Sequence, residues 1–367
     1  MNTLSLVFLL GAIVYEVSSQ HAFHGHSSVG MAGLGHSVGN STIAGTASGC
    51  KHRSNYFVNP NTKFQMCMGQ TDQDLKNGMS IINLVNSRGY LPTCRVMQLM
   101  LWMGATVHER GFLGKELFVD VGANIGSCTV HMAALGFPVV SVEPVQQHVD
   151  TIRGSMDINP SFHIDLHQIG LSSEDRQIRA NFGHGARNWG ASEFHEVGEN
   201  ESFEAELKLR TLEHVVGHRR VALLKVDCEG CEWETIKSAK RMLRRIPMIK
   251  MELVQTSYTA GNETMTPHQI LLFLNKTGFE IFADHWNEQD LYFGRHHTKV
   301  FDIDKMFGSE KFNLPTDAVV LHNSARTIVE NPINLETFTH RGFLKSHTDV
   351  IAIERGLAGR MKRYFLS

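Results

Sequence analysis

The chain has 367 residues, with 35 Lys plus Arg against 37 Asp plus Glu and a formal net charge of −2 when its 21 histidines are neutral. That balance excludes nucleic-acid binding by bulk charge, which needs a strongly positive face. At 42% hydrophobic and 20% charged residues the composition is that of a globular protein, and no run of about 18 apolar residues is present to suggest a multi-span membrane protein.

Leu4 to Val14 form a short apolar run, followed by Glu16 and by Val17-Ser18-Ser19. Small residues at that spacing predict a signal peptide over residues 1–19, cleaved before Gln20. An uncleaved segment would instead anchor the chain to a membrane, with no further span. Four Asn-x-Ser/Thr sequons, at Asn40, Asn200, Asn262 and Asn275, agree with a glycoprotein of the secretory lumen or a secreted one. Residues 20–50 are rich in Gly, Ser and His and lack hydrophobic periodicity, so a flexible stalk is expected. Its histidines, His21, His24, His26 and His36, have no fixed geometry and are not read as a metal site.

Between residues 51 and 112, Val96, Met97, Leu99, Met100 and Leu101 recur in a helical manner and Ile81, Ile82, Leu84 and Val85 hint at a second helix. A helical N-terminal cap is expected there. Six cysteines are too few for a disulfide-stapled scaffold of this length. Cys50, Cys67 and Cys94 allow one surface disulfide in any of three pairings.

From residue 113 to 325 short β-rich runs alternate with amphipathic helices, which predicts an α/β fold with a doubly wound, mostly parallel sheet. The expected strands are Leu117 to Val121, Val139 to Val142, Ile164 to Ile169, Ala222 to Val226, Ile249 to Leu253 and Ala318 to Leu321. The expected helices are Ile125 to Leu135, Gln146 to Ile158, Glu232 to Leu243 and Pro267 to Asn275. Gln177 to Phe182 and Glu206 to Leu212 read as an inserted hairpin. Residues 326–367 are expected to be a C-terminal extension past the last core strand.

The first strand ends in Asp120-Val121-Gly122-Ala123-Asn124-Ile125-Gly126, a turn at which open α/β sheets bind ligands. Glycines let a ligand approach the backbone, while Asp120 would repel a pyrophosphate and favour the ammonium and sulfonium of S-adenosylmethionine. About 20 residues on, Glu143-Pro144 closes the second strand, where a carboxylate can accept ribose hydroxyls. The run Lys225-Val226-Asp227-Cys228-Glu229-Gly230-Cys231-Glu232 then ends a buried strand in three carboxylates. Such a cluster needs a cation, a proton or a positively charged ligand nearby. Cys228 and Cys231 have C-x-x-C spacing, but neither a redox turn nor a structural zinc is expected, because acidic residues crowd the turn and no second ligand pair is apparent.

On these motifs, with Asn159 closing the second helix and Glu252 ending the next strand, residues 117–253 resemble the FkbM family of S-adenosylmethionine-dependent methyltransferases. The resemblance implies a class I methyltransferase (Rossmann-like) fold and O-methylation of a hydroxyl or carboxyl on a sugar or other small molecule. Two departures are Glu213, where the family usually has Asp, and Cys231, where it has a small residue. Asp120, Gly122, Asn124 and Gly126 are assigned to the cofactor loop, Glu143 to ribose and Asp227 to the methionine amino group. Glu229 is the preferred general base, with Asp227 the alternative and His184 or His195 of the insert further candidates. Gly230 is expected to turn the chain so that Asp227 meets the cofactor and Glu229 the acceptor. No metal ligand is assigned. A glycoprotein using the fold as a non-catalytic binding module is the rival, and a nicotinamide oxidoreductase is disfavoured by the missing third glycine.

Overall fold

The computed structural model describes residues 50–59, 62–69, 79–107, 115–184, 192–198, 201–253, 257–284, 318–330, 332–333, 335 and 348–367. The expected signal peptide, nearly all of the stalk, Asn40 and Asn200 lie outside them.

A seven-stranded sheet organises the chain, in the order β14-β15-β11-β10-β3-β4-β5. Its strands are β3 (Leu117–Val121), β4 (Val139–Val142), β5 (Ile164–His167), β10 (Val221–Val226), β11 (Met248–Leu253), β14 (Phe279–Ala283) and β15 (Thr348–Glu354). Neighbours from β5 to β11 are parallel, and β15 runs antiparallel between β11 and β14. The result is an α/β fold around a doubly wound, mostly parallel sheet.

Period-two alternation explains why both faces are covered. Leu117, Val119, Val121, Leu224, Val226, Ile249 and Met251 enter one core layer. Phe118, Leu223, Met248, Ile351 and Ile353 enter the other. The first layer is closed by α5 (Leu212–Val216), α6 (Glu232–Ser238) and α7 (Pro267–Thr277). The second is closed by α2 (Pro92–Val107), α3 (Ser127–Ala134), α8 (Ala318–Val329) and α9 (Arg355–Phe365). Helix α4 (Gln146–Ile158) has the bounds expected from sequence.

Three expectations need correction. Residues 51–112 open with an antiparallel hairpin, β1 (His52–Asn59) and β2 (Thr62–Gly69), before α1 (Met79–Arg88) and α2. Tyr56, Val58, Met66 and Met68 pack there with Ile82 and Val85 of α1, so this segment is not helical throughout. Ala318 to Leu321 begins α8 rather than forming a strand. A short apolar run does not distinguish a buried helix from a strand, and Ala325, Ile328 and Val329 continue at helical spacing into the core. The last core strand is β15, within the expected extension, so residues 348–365 belong to the main domain.

The insert is a second sheet, ordered β6-β9-β7-β8, of β6 (Gly170–Leu171), β7 (Arg176–His184), β8 (Ser192–Glu196) and β9 (Ala205–Arg210). The two segments expected to form a hairpin do pair antiparallel, as β7 and β9, but β8 intervenes in the chain and pairs with the other edge of β7, so they are not a hairpin. A two-stranded ribbon, β12 (Tyr258–Ala260) and β13 (Glu263–Met265), precedes α7.

All six cysteines are paired, as Cys50–Cys67, Cys94–Cys128 and Cys228–Cys231. The expectation of one surface disulfide is therefore too small, and the C-x-x-C turn is oxidised.

Candidate active site

The first strand of the parallel set, β3, lies between β4 and β10, whose crossovers leave in opposite directions, and a cleft opens past the carboxyl ends of these strands. It holds about 500 Å³ of open space, lined by Val121, Gly122, Asn124, Val142, Glu143, Pro144, His148, Ile169, Gly170, Leu171, Asp227, Cys228, Glu229 and Cys231.

Of the residues expected to bind the cofactor, Gly122, Asn124, Glu143 and Asp227 meet at this cleft, together with the candidate base Glu229. Asn124 takes the left-handed conformation at φ 53, and its side-chain oxygen accepts from Ile125 N at 2.7 Å. Its own N–H donates to Glu143 Oε2 at 2.8 Å, tying the glycine loop to the end of β4. Glu143 is only 4% exposed, and its Oε1 takes Val145 N–H at 3.0 Å and faces His148 Nδ1 at 3.1 Å. A carboxylate has about four lone-pair positions, so this arrangement fits one further donor, as a ribose hydroxyl would supply.

Two residues expected in the loop stand off the cleft wall. Asp120 is fully buried, accepting from Thr129 Oγ1 at 2.7 Å and pairing with Lys225 Nζ at 3.1 Å. Burial raises its carboxyl above the ordinary value, opposed by Lys225 and Thr129. Gly126 forms the N-cap of α3 at φ 84, against Ile152 of α4.

Lys225 was not singled out from the sequence, yet it organises the site. Its ammonium lies 3.1 Å from Asp120, 3.3 Å from Asp227 and 2.9 Å from the Gly122 carbonyl. Burial works against its charge, and Asp120 and Asp227 hold it above the ordinary lysine value. The signal was a lysine within the otherwise apolar strand Val221–Val226, since a buried cation requires partners. Lys250 repeats the pattern one strand away, beside Lys225 in register, and pairs with Asp284 at 3.2 Å and with Asp349.

The β10 turn departs from its expected course. Asp227 N–H donates to Val121 O, Glu229 itself adopts the left-handed conformation at φ 54, and Gly230 follows at φ 124. The chain does turn, but the carboxylates are not separated: oxygens of Asp227, Glu229 and Glu252 lie within 4.8 Å of one another. Burial favours neutral Asp227, yet Lys225 and a hydrogen bond from Glu252 hold it below the ordinary value. Glu252, Asp349 and Lys250 were missed as site residues. Asp349 faces Glu252 in register across β11 and β15, a pairing that no local pattern announces.

Glu232, the third carboxylate of the run, is buried beneath the turn. Its carboxylate accepts from Cys228 N–H at 3.0 Å and Gly230 N–H at 2.9 Å. Burial pushes it up to about 7. His184 and His195 fall on β7 and β8.

Residues 120–281 match the family described as the methyltransferase FkbM domain, a span that includes the whole cleft wall. No curated protein matches the chain. Among solved structures, it is similar to precorrin-6y C5,15-methyltransferase from Geobacter metallireducens GS-15 at 12% identity, covering 71% of this chain and 87% of that one with a TM-score of 0.32. It is similar to an rRNA methylase from Streptococcus thermophilus at 11% identity, covering 70% and 96% with a TM-score of 0.31. A third is phosphoethanolamine N-methyltransferase 2 from Haemonchus contortus, solved with S-adenosyl-L-methionine, at 11% identity, covering 75% and 60% with a TM-score of 0.32. With the cleft, its acidic residues and the family match in one segment, residues 120–281 are similar to the methyltransferase FkbM domain, of a family whose methyl donor is S-adenosylmethionine.

Proposed function

We propose that the protein is an O-methyltransferase acting on a hydroxyl or carboxyl group of a sugar or other small acceptor, in the secretory lumen or after secretion. The observation that carries this reading is the placement of Glu143, Asp227 and Glu229 around one cleft. S-adenosylmethionine supplies an electrophilic methyl group when bound. Glu143 would accept a ribose hydroxyl, and Asp227, kept anionic beside Lys225, would accept the methionine ammonium. Transfer to a hydroxyl needs removal of one proton and alignment of the acceptor oxygen with the methyl carbon. Glu229 stands beside Asp227 at the cleft and is the group assigned to take that proton.

The three disulfides support an oxidising compartment, since such bonds are rare where glutathione keeps thiols reduced. Among the described residues no helix is long and apolar enough to cross a membrane.

Calorimetric titration of the purified protein with S-adenosylmethionine, S-adenosylhomocysteine and NAD tests the cofactor reading. The two sulfur nucleosides should bind and NAD should not. Labelled-methyl transfer to a panel of sugars and small hydroxy and carboxylic acids tests the acceptor class. Binding without transfer to any member of a broad panel would favour a non-catalytic module.

A further inference from the structure

Carboxyl oxygens of Asp227 and Glu252 lie within 4.8 Å of each other, at the adjoining ends of β10 and β11. Ionised carboxylates are acceptors only, so a hydrogen bond between two of them requires a proton on one. The surroundings decide which. Lys225 sits 3.3 Å from Asp227 Oδ2 and favours its anion. Glu252 faces Asp227 and Glu229 from the β10 turn and Asp349 from β15. The cation on its own strand, Lys250, is engaged by Asp284 and Asp349. Three acidic neighbours therefore surround Glu252.

We propose that Glu252 is a positioning residue that works as the neutral acid, its O–H donating to Asp227 and fixing that carboxylate so that its remaining lone pairs face the cofactor's ammonium. The role rests on the reading that the cleft binds S-adenosylmethionine. It differs from that of Glu229, because Glu252 acts through Asp227 and touches no reacting atom. Burial, with the charges of Asp227 and Asp349, pushes Glu252 up to about 11, which agrees with a proton retained at neutral pH.

Two variants separate the donor from mere bulk. Glu252→Gln keeps an N–H donor and cannot titrate, whereas Glu252→Leu keeps similar volume and donates nothing. Calorimetry with S-adenosylhomocysteine from acid to mildly alkaline pH should give wild type and Glu252→Gln the same affinity within a small factor. Glu252→Leu should bind on the order of tenfold more weakly, the expected size of one hydrogen bond to a charged group. Its acid limb, where binding falls as Asp227 protonates, should also move to higher pH, because Asp227 has lost a donor that favours its anion. Carbon-13 NMR of the Glu252 carboxyl in the wild type, assigned by its absence in Glu252→Gln, should show a midpoint well above the ordinary carboxylate range. That measurement decides the matter if Glu252→Leu does not fold. A midpoint in the ordinary range overturns the proposal, as do Gln and Leu variants that bind alike while the wild type binds. A wild type that does not bind S-adenosylhomocysteine overturns the cofactor reading itself, and this role with it.

Discussion

Gly122 has no room for a side chain. A Cβ there would stand 1.8 Å from Asp227 O, at a φ of +73 that L residues rarely adopt. Gly122→Ala must therefore push the glycine loop off the β10 turn, and we expect a loss of at least about 2 kcal/mol in urea unfolding together with loss of S-adenosylhomocysteine binding. Asp120 and Glu143 should separate in their effects. Asp120→Asn weakens a buried ion pair with Lys225, so stability should fall by about 3 kcal/mol while cofactor affinity changes little. Glu143→Ala should weaken S-adenosylhomocysteine binding by about 1.5 to 3 kcal/mol, and equal effects of the two variants in calorimetry would remove Glu143 from the ribose site. Glu232 predicts a pH signature. Its folded-state value of about 7 lies above the ordinary 4.5, so the folded protein holds its proton more tightly than the unfolded chain. Stability should fall as pH rises across that window, by about 3 kcal/mol, and level off above it. Glu232→Gln should lack this component, so thermal midpoints of wild type and variant should draw apart between pH 5 and 7 in the direction that penalises the wild type at higher pH.

At the scale of elements, the hairpin β12–β13 presents Asn262 at its exposed tip. Asn275, near the end of α7, donates its Nδ2 to Phe279 O at 3.1 Å. Expressed in an animal secretory pathway, the protein should carry glycan at Asn262 and none at Asn275, checked by glycosidase-coupled peptide mass spectrometry. The same contrast between local and distant information decides what could be read from sequence. Strands β3, β4, β10 and β11 were legible because their short apolar runs are bounded by turn signals, and α4 because its apolar positions follow a helical period. The hairpin β1–β2 was lost because the strong helical pattern of α2 was extended backwards over it. Cys128 was counted with the main domain, so its bond to Cys94, which staples α2 to α3, lay outside the pairings weighed. At the site, the glycine loop, Glu143 and the β10 turn were legible as motifs. The ionic row behind them was not, since Asp120, Lys225, Lys250, Glu252 and Asp349 come together only through strand order and register.

For the molecule as a whole, β15 is decisive. It pairs with β11 along six residues and with β14 along five, and it brings Asp349 to the Lys250 cluster. A chain truncated before Thr348 should therefore not reach the native fold: we expect no cooperative thermal transition and ready proteolysis, whereas removing only Leu366 and Ser367 should leave both unchanged. The run Asp349-Val350-Ile351-Ala352-Ile353 has clear strand character, but a local pattern says only that a strand exists, not that it enters between two others. This placement also orders events at the ribosome. Everything from β3 to β14 emerges before the strand that joins β14 to the rest, and at about 5 to 20 residues per second residues 348–367 alone take about one to four seconds to make. Throughout synthesis of the segment after β14, the outer edge of β11 offers unpaired backbone groups to any other strand within reach. Nascent chains should thus depend on holding factors until β15 has emerged, and a mutation that slows translation between Ala283 and Thr348 would lower yield without altering a single native contact.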